Sequence, residues 1–238
     1  MGKRIIPQAR GKGGPRYRAP SFRYKGSAVH KSISDSVVNG KIIDLVKCQG
    51  HSAPLAKIKY ESGEQVLILA PEGVKVGDSV SCGQGAPVKA GNTMNLSEVP
   101  EGTLIYNIES RPGDGGKFCR SSGTFARVLT KMGSNVVVEL PSKKQKTFHN
   151  NCRANIGVIA GGGRTEKPFL KAGRKYYAMK ARNKLWPIVC GQSMNAVDHP
   201  HGGSTSSKKN YPYTVSRNAP PGAKVGAIAA KRTGRKKR

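Results

Sequence analysis

Alternating and clustered apolar positions between residues 37 and 110 predict a series of short β-strands. Gly, Pro and Asn interrupt the apolar runs every 8–12 residues or so, a spacing typical of small all-β domains. We predict strands at residues 37–46, 56–60, 65–70, 79–81 and 103–108. About five short strands with such turns favour a partly open Greek-key barrel of the OB type.

A similar pattern continues between residues 111 and 190. We predict strands at residues 125–130, 136–140, 146–148 and 156–160, with hairpin turns at 133–135 and 141–142. Their number and length suit a second small barrel, similar in size to an SH3 domain. After the glycines at 161–163, residues 171–184 predict a short helix with cations on most of its faces.

The two ends of the chain follow neither the strand period nor the helix period. Residues 1–36 contain few apolar side chains and cannot bury enough surface to offset the entropy of ordering them. We expect this segment to be disordered alone and to become an extended arm on a polyanion; a solubilising or import tail is the alternative. Paired prolines and repeated glycines also predict an extended path near the C-terminus.

The patterns together predict a mostly β protein with two small barrels between basic extensions. We assign residues 1–36 to an N-terminal extension, 37–110 to the OB-like barrel, 111–190 to the SH3-like barrel with its basic helix, and 191–238 to a C-terminal loop and extension.

Charge changes this picture most. The formal net charge is +29, and it is −2 over residues 37–110 against +8, +14 and +9 over residues 1–36, 111–190 and 191–238. A molecule with this charge repels itself strongly unless it meets a polyanion, and a pI near 10.3 is typical of nucleic-acid binders.

The five cysteines are scattered and form no Cys-x-x-Cys pair, which argues against a zinc knuckle and fits reduced thiols in the cytoplasm. There is no apolar run of ~18 residues and no apolar signal core after the first basic residues, so we expect neither a membrane partner nor secretion. We predict no metal and no cofactor.

Aromatic rings accompany the cations. Tyr17, Phe22 and Tyr24 lie in the N-terminal segment and can stack on splayed bases. Tyr176 and Tyr177 can either stack on bases or fill the barrel core, whereas for Trp186 the sequence favours packing in the core. No acidic residue occurs from 167 to 194, so ion pairs within the predicted helix cannot form and an external anion is favoured.

The glycine-rich stretch Arg-Pro-Gly-Asp-Gly-Gly-Lys at 111–117 resembles a phosphate loop only faintly. It lacks the spacing of a Walker motif and the Ser or Thr after the lysine. A turn that places Lys117 and Arg120 on an RNA backbone fits better.

Residues 193–203 are the most distinctive loop, because they combine Asn195, Asp198, His199 and His201 with Pro200. A carboxylate beside an imidazole can act as an acid–base pair, and His-x-His can bind a metal. No third ligand or second carboxylate accompanies them, so hydrogen bonding to RNA is favoured. An internal role, in which Asp198 caps the turn, remains the alternative.

RNA is favoured over DNA as the polyanion. The sequence contains no helix-turn-helix pattern, no zinc-finger spacing and no basic region followed by heptads. Small barrels with long basic arms suit irregularly folded RNA, since arms reach between RNA helices and gain affinity from counterion release.

Several motifs resemble the universal large-subunit ribosomal protein L2 family, in a form most similar to the archaeal one. The signature Met-Asn-Ala-Val-Asp-His-Pro-His-Gly-Gly at 194–203 is the most specific. The other matching stretches are residues 2–6, 52–56, 111–117, 171–174, 219–222 and 228–235.

The resemblance implies an OB barrel, an SH3-like barrel and two extensions on large-subunit rRNA. It also implies a structural role in assembly around the peptidyl transferase centre, in subunit association and in tRNA binding. From the resemblance we also expect contacts with neighbouring ribosomal proteins and, across the subunit interface, with the small subunit. We expect one copy of the chain in each cytoplasmic ribosome. The family places chemistry in RNA, so we expect no catalytic residue; the alternative is an RNA-acting enzyme or direct catalysis through His199.

The residues that we expect to contact RNA share a positive charge, a hydrogen-bonding side chain or a ring face. They are Lys3, Arg4, Arg10, Lys12, Arg16, Arg18, Arg23, Tyr24, Lys25, Lys117, Arg120, Arg164, Lys171, Arg174, Lys175, Lys180, Arg182, Asn183, Lys184, Asn195, Asp198, His199, His201, Arg217, Lys224, Lys231, Arg232 and Arg235.

Overall fold

A computed structural model of the chain describes residues 2–33, 36–203 and 214–232. Its helices are α1 (Ile6–Gly11) and α2 (Ala172–Lys180), with 3₁₀ turns at Pro15–Tyr17, Ser21–Arg23, Gly162–Thr165 and Gly191–Ser193. Its strands are β1 (Val38–Val46), β2 (Leu55–Tyr60), β3 (Gln65–Leu69), β4 (Ser79–Cys82), β5 (Thr93–Asn95), β6 (Leu104–Tyr106), β7 (Ala126–Met132), β8 (Asn135–Glu139), β9 (Gln145–His149), β10 (Arg153–Ile156), β11 (Thr214–Val215) and β12 (Ala227–Ile228). Within these ranges no helix is long and apolar enough to cross a membrane.

The chain forms two compact units. Unit 1 joins the two ends of the chain, residues 1–20 and 169–238, and unit 2 comprises residues 21–168. Unit 2 contains a ten-stranded sheet in the order β3-β2-β1-β4-β5-β10-β6-β7-β8-β9. Unit 1 contains α1, α2 and the short parallel pair of β11 and β12.

The first four strands of unit 2 form an antiparallel group around β1, which pairs with β2 on one side and β4 on the other. A bulge between Ile42 and Asp44 shifts the register of β1 on β2 and increases its twist. Alternate side chains of these strands point to one face of the sheet and form a common apolar core. This core includes Ile42, Ile58 and Val80.

A second core lies among β5 to β10 and includes Ile105, Val128, Val138 and Phe148. Strands β5 and β6 belong to this half because both pair with β10. A single parallel pair, Cys82 on Thr93, links β4 to β5 and continues the sheet between the halves.

The predicted mostly β class is confirmed, and most predicted strands lie within a residue or two of observed ones. Strand β5 was not predicted, since it has only three residues in a glycine- and asparagine-rich setting. The strand expected at 156–160 instead ends at Ile156, and Ile159 forms only an isolated bridge with Pro71. Closure of either half into a barrel stays a prediction.

The expectation of an arm without fixed structure over residues 1–36 is wrong for its last part. Ala28, His30 and Lys31 are buried in unit 2. The Val29 amide donates to the Leu67 carbonyl over 3.0 Å, and Lys31 Nζ lies 3.3 Å from a Glu64 carboxylate oxygen. Contacts with the edge strand of the sheet and with Glu64 therefore hold this segment against unit 2.

A buried ion pair holds the same segment against the sheet. Glu109, which is 0% exposed, accepts hydrogen bonds from Arg153 Nε (3.2 Å) and Nη2 (2.8 Å) and from the amides of Arg153, Gly113 and Gly115. Arg153 Nη1 donates to the Lys31 carbonyl over 2.7 Å. Burial alone raises the pKa of Glu109, but the hydrogen bonds and charge of Arg153 outweigh it, so the pKa is lowered.

His30 lies beside this pair, and its Nε2 is 2.7 Å from the Asn107 carbonyl, to which it donates. Burial, with the charges of Arg153 and Arg120 adding to it, lowers the pKa of His30 from 6.5 to about 4, although Glu109 and Asn107 act in the opposite direction. The folded protein therefore keeps this imidazole neutral at pH values at which the unfolded chain protonates it.

We expect this difference to make folding pH-dependent. Because the unfolded chain binds the proton below pH 6.5 and the folded chain only near pH 4, the free energy of unfolding falls as the pH drops through that window. The loss attributable to His30 between pH 7 and 4.5 is about 2–3 kcal/mol, at 1.36 kcal/mol per pKa unit.

Urea unfolding of the unaltered chain and of His30→Gln across this pH range measures that contribution. The variant removes the titrating ring, so its stability should fall less on acidification. His51 and His199 also have lowered pKa values, but they titrate equally in both proteins and cancel in the comparison. Equal acid sensitivity of the two proteins would contradict the assignment.

Candidate nucleic-acid interface

Unit 1 holds most of the excess positive charge of the chain. Its sequence contains 22 lysines and arginines and a single acidic residue, Asp198, whereas unit 2 contains 20 basic and 12 acidic residues. The Asp198 carboxylate already has a cationic neighbour, since Lys3 Nζ lies 3.5 Å from its Oδ1. Unit 1 is therefore a cationic body with almost no internal counter-charge.

Helix α2 carries part of this charge on an open surface. None of its residues is buried, and its Lys and Arg side chains have no acidic neighbour in the sequence on either side. Tyr176 and Tyr177 are 41% and 68% exposed, with ring centroids 5.5 Å apart in an edge-to-face arrangement. Of the two interpretations left open by the sequence, the exposed rings favour stacking on a partner over packing in a barrel core.

The loop at 193–203 is held by its own backbone. The amides of Asp198 and His199 donate to the Asn195 carbonyl over 3.0 and 3.2 Å, and the Gly203 amide donates to Met194 over 3.1 Å. The Gly202 amide closes a turn on the His199 carbonyl over 2.8 Å. These bonds bring the polar side chains of the signature to one tight turn.

His199 lies at the centre of the turn, and its Nδ1 accepts the His201 amide over 3.0 Å. The two imidazole rings meet edge to face with centroids 5.0 Å apart. Burial, and secondly the nearby His201, lower the pKa of His199. The ring is therefore neutral at pH 7, and because Nδ1 is an acceptor the proton lies on Nε2, which acts as a donor.

Glycines allow this arrangement at two places where a side chain would collide. A Cβ atom at Gly191 would overlap the His199 ring, and one at Gly202 would overlap the Asn195 carbonyl oxygen and lie 2.7 Å from that of Met194. Close approach of backbone to backbone thus explains Gly202 of the signature, and close approach to the His199 ring explains Gly191.

We expect Gly202→Ala to open the turn. Loss of the closed turn would free Nδ1 of His199 from the His201 amide and expose the ring, so the lowered pKa of His199 should rise toward the ordinary value near 6.5. An NMR titration of the imidazole carbon-bound protons measures this shift. Gly173→Ala, where a Cβ atom meets nothing within 4 Å, is the matched control; an unchanged His199 titration in Gly202→Ala would contradict the account.

The N-terminal residues of the chain lie on this loop. The Lys3 amide donates to the Val197 carbonyl over 2.8 Å, in addition to the ion pair with Asp198. The Asn183 side chain, which follows α2, donates to the carbonyls of Pro15 and Arg18 over 2.9 and 2.7 Å. Unit 1 therefore brings together segments that lie 168 residues apart in sequence.

Most of the predicted contact residues are exposed in the part of the chain that the structure describes. The exposed ones are Lys3, Arg4, Arg10, Lys12, Arg16, Arg18, Arg23, Lys25, Lys117, Arg164, Lys171, Arg174, Lys180, Lys184, Asn195, Arg217, Lys224, Lys231 and Arg232. The half-buried ones are Tyr24, Arg120, Lys175, Arg182, Asn183, Asp198, His199 and His201. Arg235 lies outside the described residues.

Several of the predicted residues have internal contacts that the sequence did not indicate, and three of them are Arg120, Tyr24 and Asn183. Arg120 donates to the Gly116 and Ala28 carbonyls over 2.8 and 2.6 Å. Tyr24 packs against an apolar cluster of unit 2 and against Gly50, where a Cβ atom would collide with its ring. The Asn183 side chain donates both of its amide hydrogens to carbonyls of the N-terminal segment. The contribution of these three to an RNA interface is correspondingly smaller.

The glycine-rich stretch 111–117 turns its amides inward. Gly113 and Gly115 donate to Glu109, and Ser110, Arg111 and Gly116 donate to Asp114. These amides are therefore not directed at a phosphate group. Lys117 remains exposed at the end of the stretch, so its side chain, and not the amides of the stretch, is available to an RNA backbone.

The expectation that Trp186 fills a barrel core is wrong. Its ring is half-buried in unit 1, where it lines a groove, and Lys175 Nζ lies 5.5 Å from its ring centroid. Sequence reasoning missed this groove, because its walls come from both ends of the chain and no local pattern pairs them.

The geometry of the loop does not resemble an acid–base site. In a catalytic dyad the imidazole donates a hydrogen from one nitrogen to a carboxylate, whereas here Nδ1 of His199 accepts a backbone amide and Asp198 pairs with Lys3. Among the described residues, no group of three or more His, Cys, Asp or Glu is placed to hold a metal ion. The arrangement offers hydrogen-bond donors, ring faces and cations.

Two family models match the chain in adjacent segments. Residues 7–82 match the model described as "Ribosomal Proteins L2, RNA binding N-terminal domain", and residues 89–224 match "Ribosomal Proteins L2, C-terminal domain". The gap between the two matches falls between β4 and β5, where a single residue pair links the halves of the sheet.

Full-length relatives agree with this match. The chain is 53% identical to large ribosomal subunit protein uL2 of Methanothermobacter thermautotrophicus over 241 residues, which cover 100% of both chains. It is 54% identical to that of Archaeoglobus fulgidus, covering 98% of this chain and 99% of the relative, and 53% identical to that of Halorubrum lacusprofundi, covering 99% and 98%. The chain therefore belongs to the ribosomal protein L2 family.

Proposed function

We propose that this chain is a structural constituent of the large ribosomal subunit and binds the rRNA of that subunit. One observation carries the proposal: unit 1 combines 22 lysines and arginines with one acidic residue, which is itself paired with Lys3. A body with this charge needs a polyanion, and membership of a ribosomal family with an RNA-binding domain supports rRNA as that polyanion.

Within the subunit we expect the chain to support assembly around the peptidyl transferase centre, association with the small subunit and binding of tRNA. Its partners are then large-subunit rRNA, neighbouring ribosomal proteins and the small subunit across the interface, with one copy per cytoplasmic ribosome. The neutral His199, which donates from Nε2, and the exposed Asn195 amide suit hydrogen bonds to RNA bases and 2′-hydroxyls. Asp198 contributes to the same surface as the partner of Lys3.

We further propose that the chain catalyses no reaction. A direct catalytic role would rest on His199, and that ring has neither a carboxylate on Nδ1 nor the charge needed to act as an acid at pH 7. The four-part division into two extensions and two barrels also stays a prediction, since the sheet of unit 2 continues from one proposed barrel to the next.

The experiment that tests the function replaces the resident family member of an archaeal large subunit with this chain, either unaltered or as His199→Ala. Copies per particle are counted by quantitative mass spectrometry, subunit association is followed by gradient sedimentation, and peptide-bond formation is measured on particles that form. We expect about one copy of the unaltered chain, and for His199→Ala reduced incorporation or association with near-normal chemistry.

His149→Ala, which alters an exposed histidine of β9 in unit 2, is the matched control and should behave as the unaltered chain. Normal incorporation of His199→Ala with peptide-bond formation slowed by about 10²-fold or more, the scale of a lost acid–base group, would establish the catalytic alternative. Failure of the unaltered chain to enter the particle would contradict the structural function.

A further inference from the structure

A groove of about 820 Å³ crosses unit 1, which is within the size range of small-ligand sites. Its apolar lining comes from α1 and from the segment that follows α2, and includes Ile6, Pro7, Leu185, Trp186 and Ile188. Ile188 is 74% exposed, so an aliphatic side chain stands open to solvent at this place. Among the residues that the structure describes, nothing covers this apolar surface within a highly charged unit.

Cations accompany these apolar walls. Arg10, Arg182 and Lys184 line the groove, and the single acidic residue of unit 1, Asp198, lies at its lining with Lys3 already 3.5 Å away. An occupant that matches this surface must combine a flat apolar part with negative charge. A nucleotide has both, and a neutral apolar peptide lacks the charge.

The walls are fixed to each other before any occupant arrives. Asn183 ties the segment after α2 to the carbonyls of Pro15 and Arg18, and Arg18 Nε donates to the Gly13 carbonyl over 2.7 Å. Tyr17, between these tied residues, and Trp186 both line the groove. A preformed site with two rings reduces the ordering cost that a bound base would otherwise impose.

We propose that this groove holds one unpaired nucleotide of the RNA, with its base against Trp186 and its phosphate at Arg10 and Lys184. The proposal deepens the function given above and rests on it. Base stacking on an aromatic ring tolerates any sequence, whereas a paired base cannot enter because it stays within its helix. His199, which also lines the groove, places a hydrogen-bond donor at its edge.

Trp186 is the only tryptophan of the chain, so its fluorescence reports on the groove alone. The probes are large-subunit rRNA, a mixed-sequence single-stranded RNA and a fully paired RNA duplex of the same length. At equal saturation we expect rRNA and the single strand to quench Trp186 emission by stacking, and the duplex to bind through its phosphates with little quenching.

Two variants that make the same aliphatic-to-glutamate change test the site, and both change exposed side chains that do not belong to a hydrophobic core. Ile188→Glu places a carboxylate in the groove, and Leu170→Glu makes the same change at an aliphatic side chain of unit 1 that is 76% exposed and does not line the groove. We expect Ile188→Glu to weaken single-strand and rRNA binding about 5- to 100-fold more than Leu170→Glu. The introduced carboxylate repels the nucleotide and so prevents its base from stacking on Trp186, and the loss of one base stack has an effect in this range.

The possible outcomes distinguish a failure of the groove proposal from a failure of the proposed rRNA-binding function. RNA binding with unchanged Trp186 emission and equal effects of the two variants would overturn the groove proposal while leaving rRNA binding intact. Quenching by an acidic, apolar peptide and not by RNA would overturn it in favour of a protein segment. Absence of binding to every RNA probe would overturn the proposed function, and the groove proposal with it.

Discussion

Replacing Glu109 by glutamine should lower the free energy of unfolding by about 3–5 kcal/mol, the usual cost of breaking a buried ion pair by removing one partner. The carboxylate is fully buried and accepts two side-chain hydrogen bonds from Arg153 besides backbone amides. Its removal leaves a guanidinium, only 9% exposed, without a counter-charge. Urea unfolding at pH 7, followed by far-ultraviolet circular dichroism, measures the loss.

Two further variants make this result specific. Glu72→Gln makes the same change at an exposed carboxylate and should alter stability by no more than about 0.5 kcal/mol. Glu109→Leu combined with Arg153→Met removes both charges and should recover part of the loss, since neither charge is then buried alone. A loss in Glu109→Gln as small as that in Glu72→Gln would contradict the structural role of the pair.

Neutralising four exposed cations at and beside α2 should weaken rRNA binding by about 10³-fold at 0.1 M salt. The variant changes Lys171, Arg174, Lys180 and Lys184 to glutamine. Each phosphate contact that is lost removes a factor of about 5–8 at this salt concentration, because fewer counterions are released on binding. Filter binding or fluorescence anisotropy with large-subunit rRNA measures the dissociation constant.

The matched control changes four exposed lysines of unit 2 that lie outside residues 7–82 to glutamine, namely Lys89, Lys131, Lys143 and Lys144. It removes the same net charge as the variant at α2. We expect an effect of less than about tenfold, since only long-range attraction changes and salt screens it. Equal losses in the two variants would mean that binding follows total charge and not the surface at α2.

Local patterns were sufficient for most of unit 2. Val136 and Val138 alternate with residues that are less buried, and the turn at 133–135 precedes them, so β7 and β8 could be predicted as a hairpin. The same reasoning failed for β10, where Arg153 and Asn155 are polar yet buried. Their partners, Glu109 and Thr93, lie 44 and 62 residues away in the sequence. The local pattern of polar and apolar residues cannot predict hydrogen bonds between such distant positions.

The sequence indicated residues for the candidate interface, whose contact with RNA stays a prediction, but it did not indicate their geometry. Charge and the signature motif indicated the loop at 193–203 and the basic segment around α2 from the sequence alone. That Lys3 would pair with Asp198, or that Asn183 would hold the segment at Pro15, depends on contacts between distant parts of the chain. Trp186 was misassigned for the same reason, because the residues that form its groove come from both ends.

Whether unit 1 binds rRNA by neutralising phosphates is tested most directly by measuring the dissociation constant for large-subunit rRNA as a function of salt. With on the order of ten phosphates neutralised, the logarithm of the association constant should fall against the logarithm of the salt concentration with a slope of about −7 to −9. A slope near zero would show that binding does not depend on these cations, and it would contradict the proposed basis of rRNA recognition.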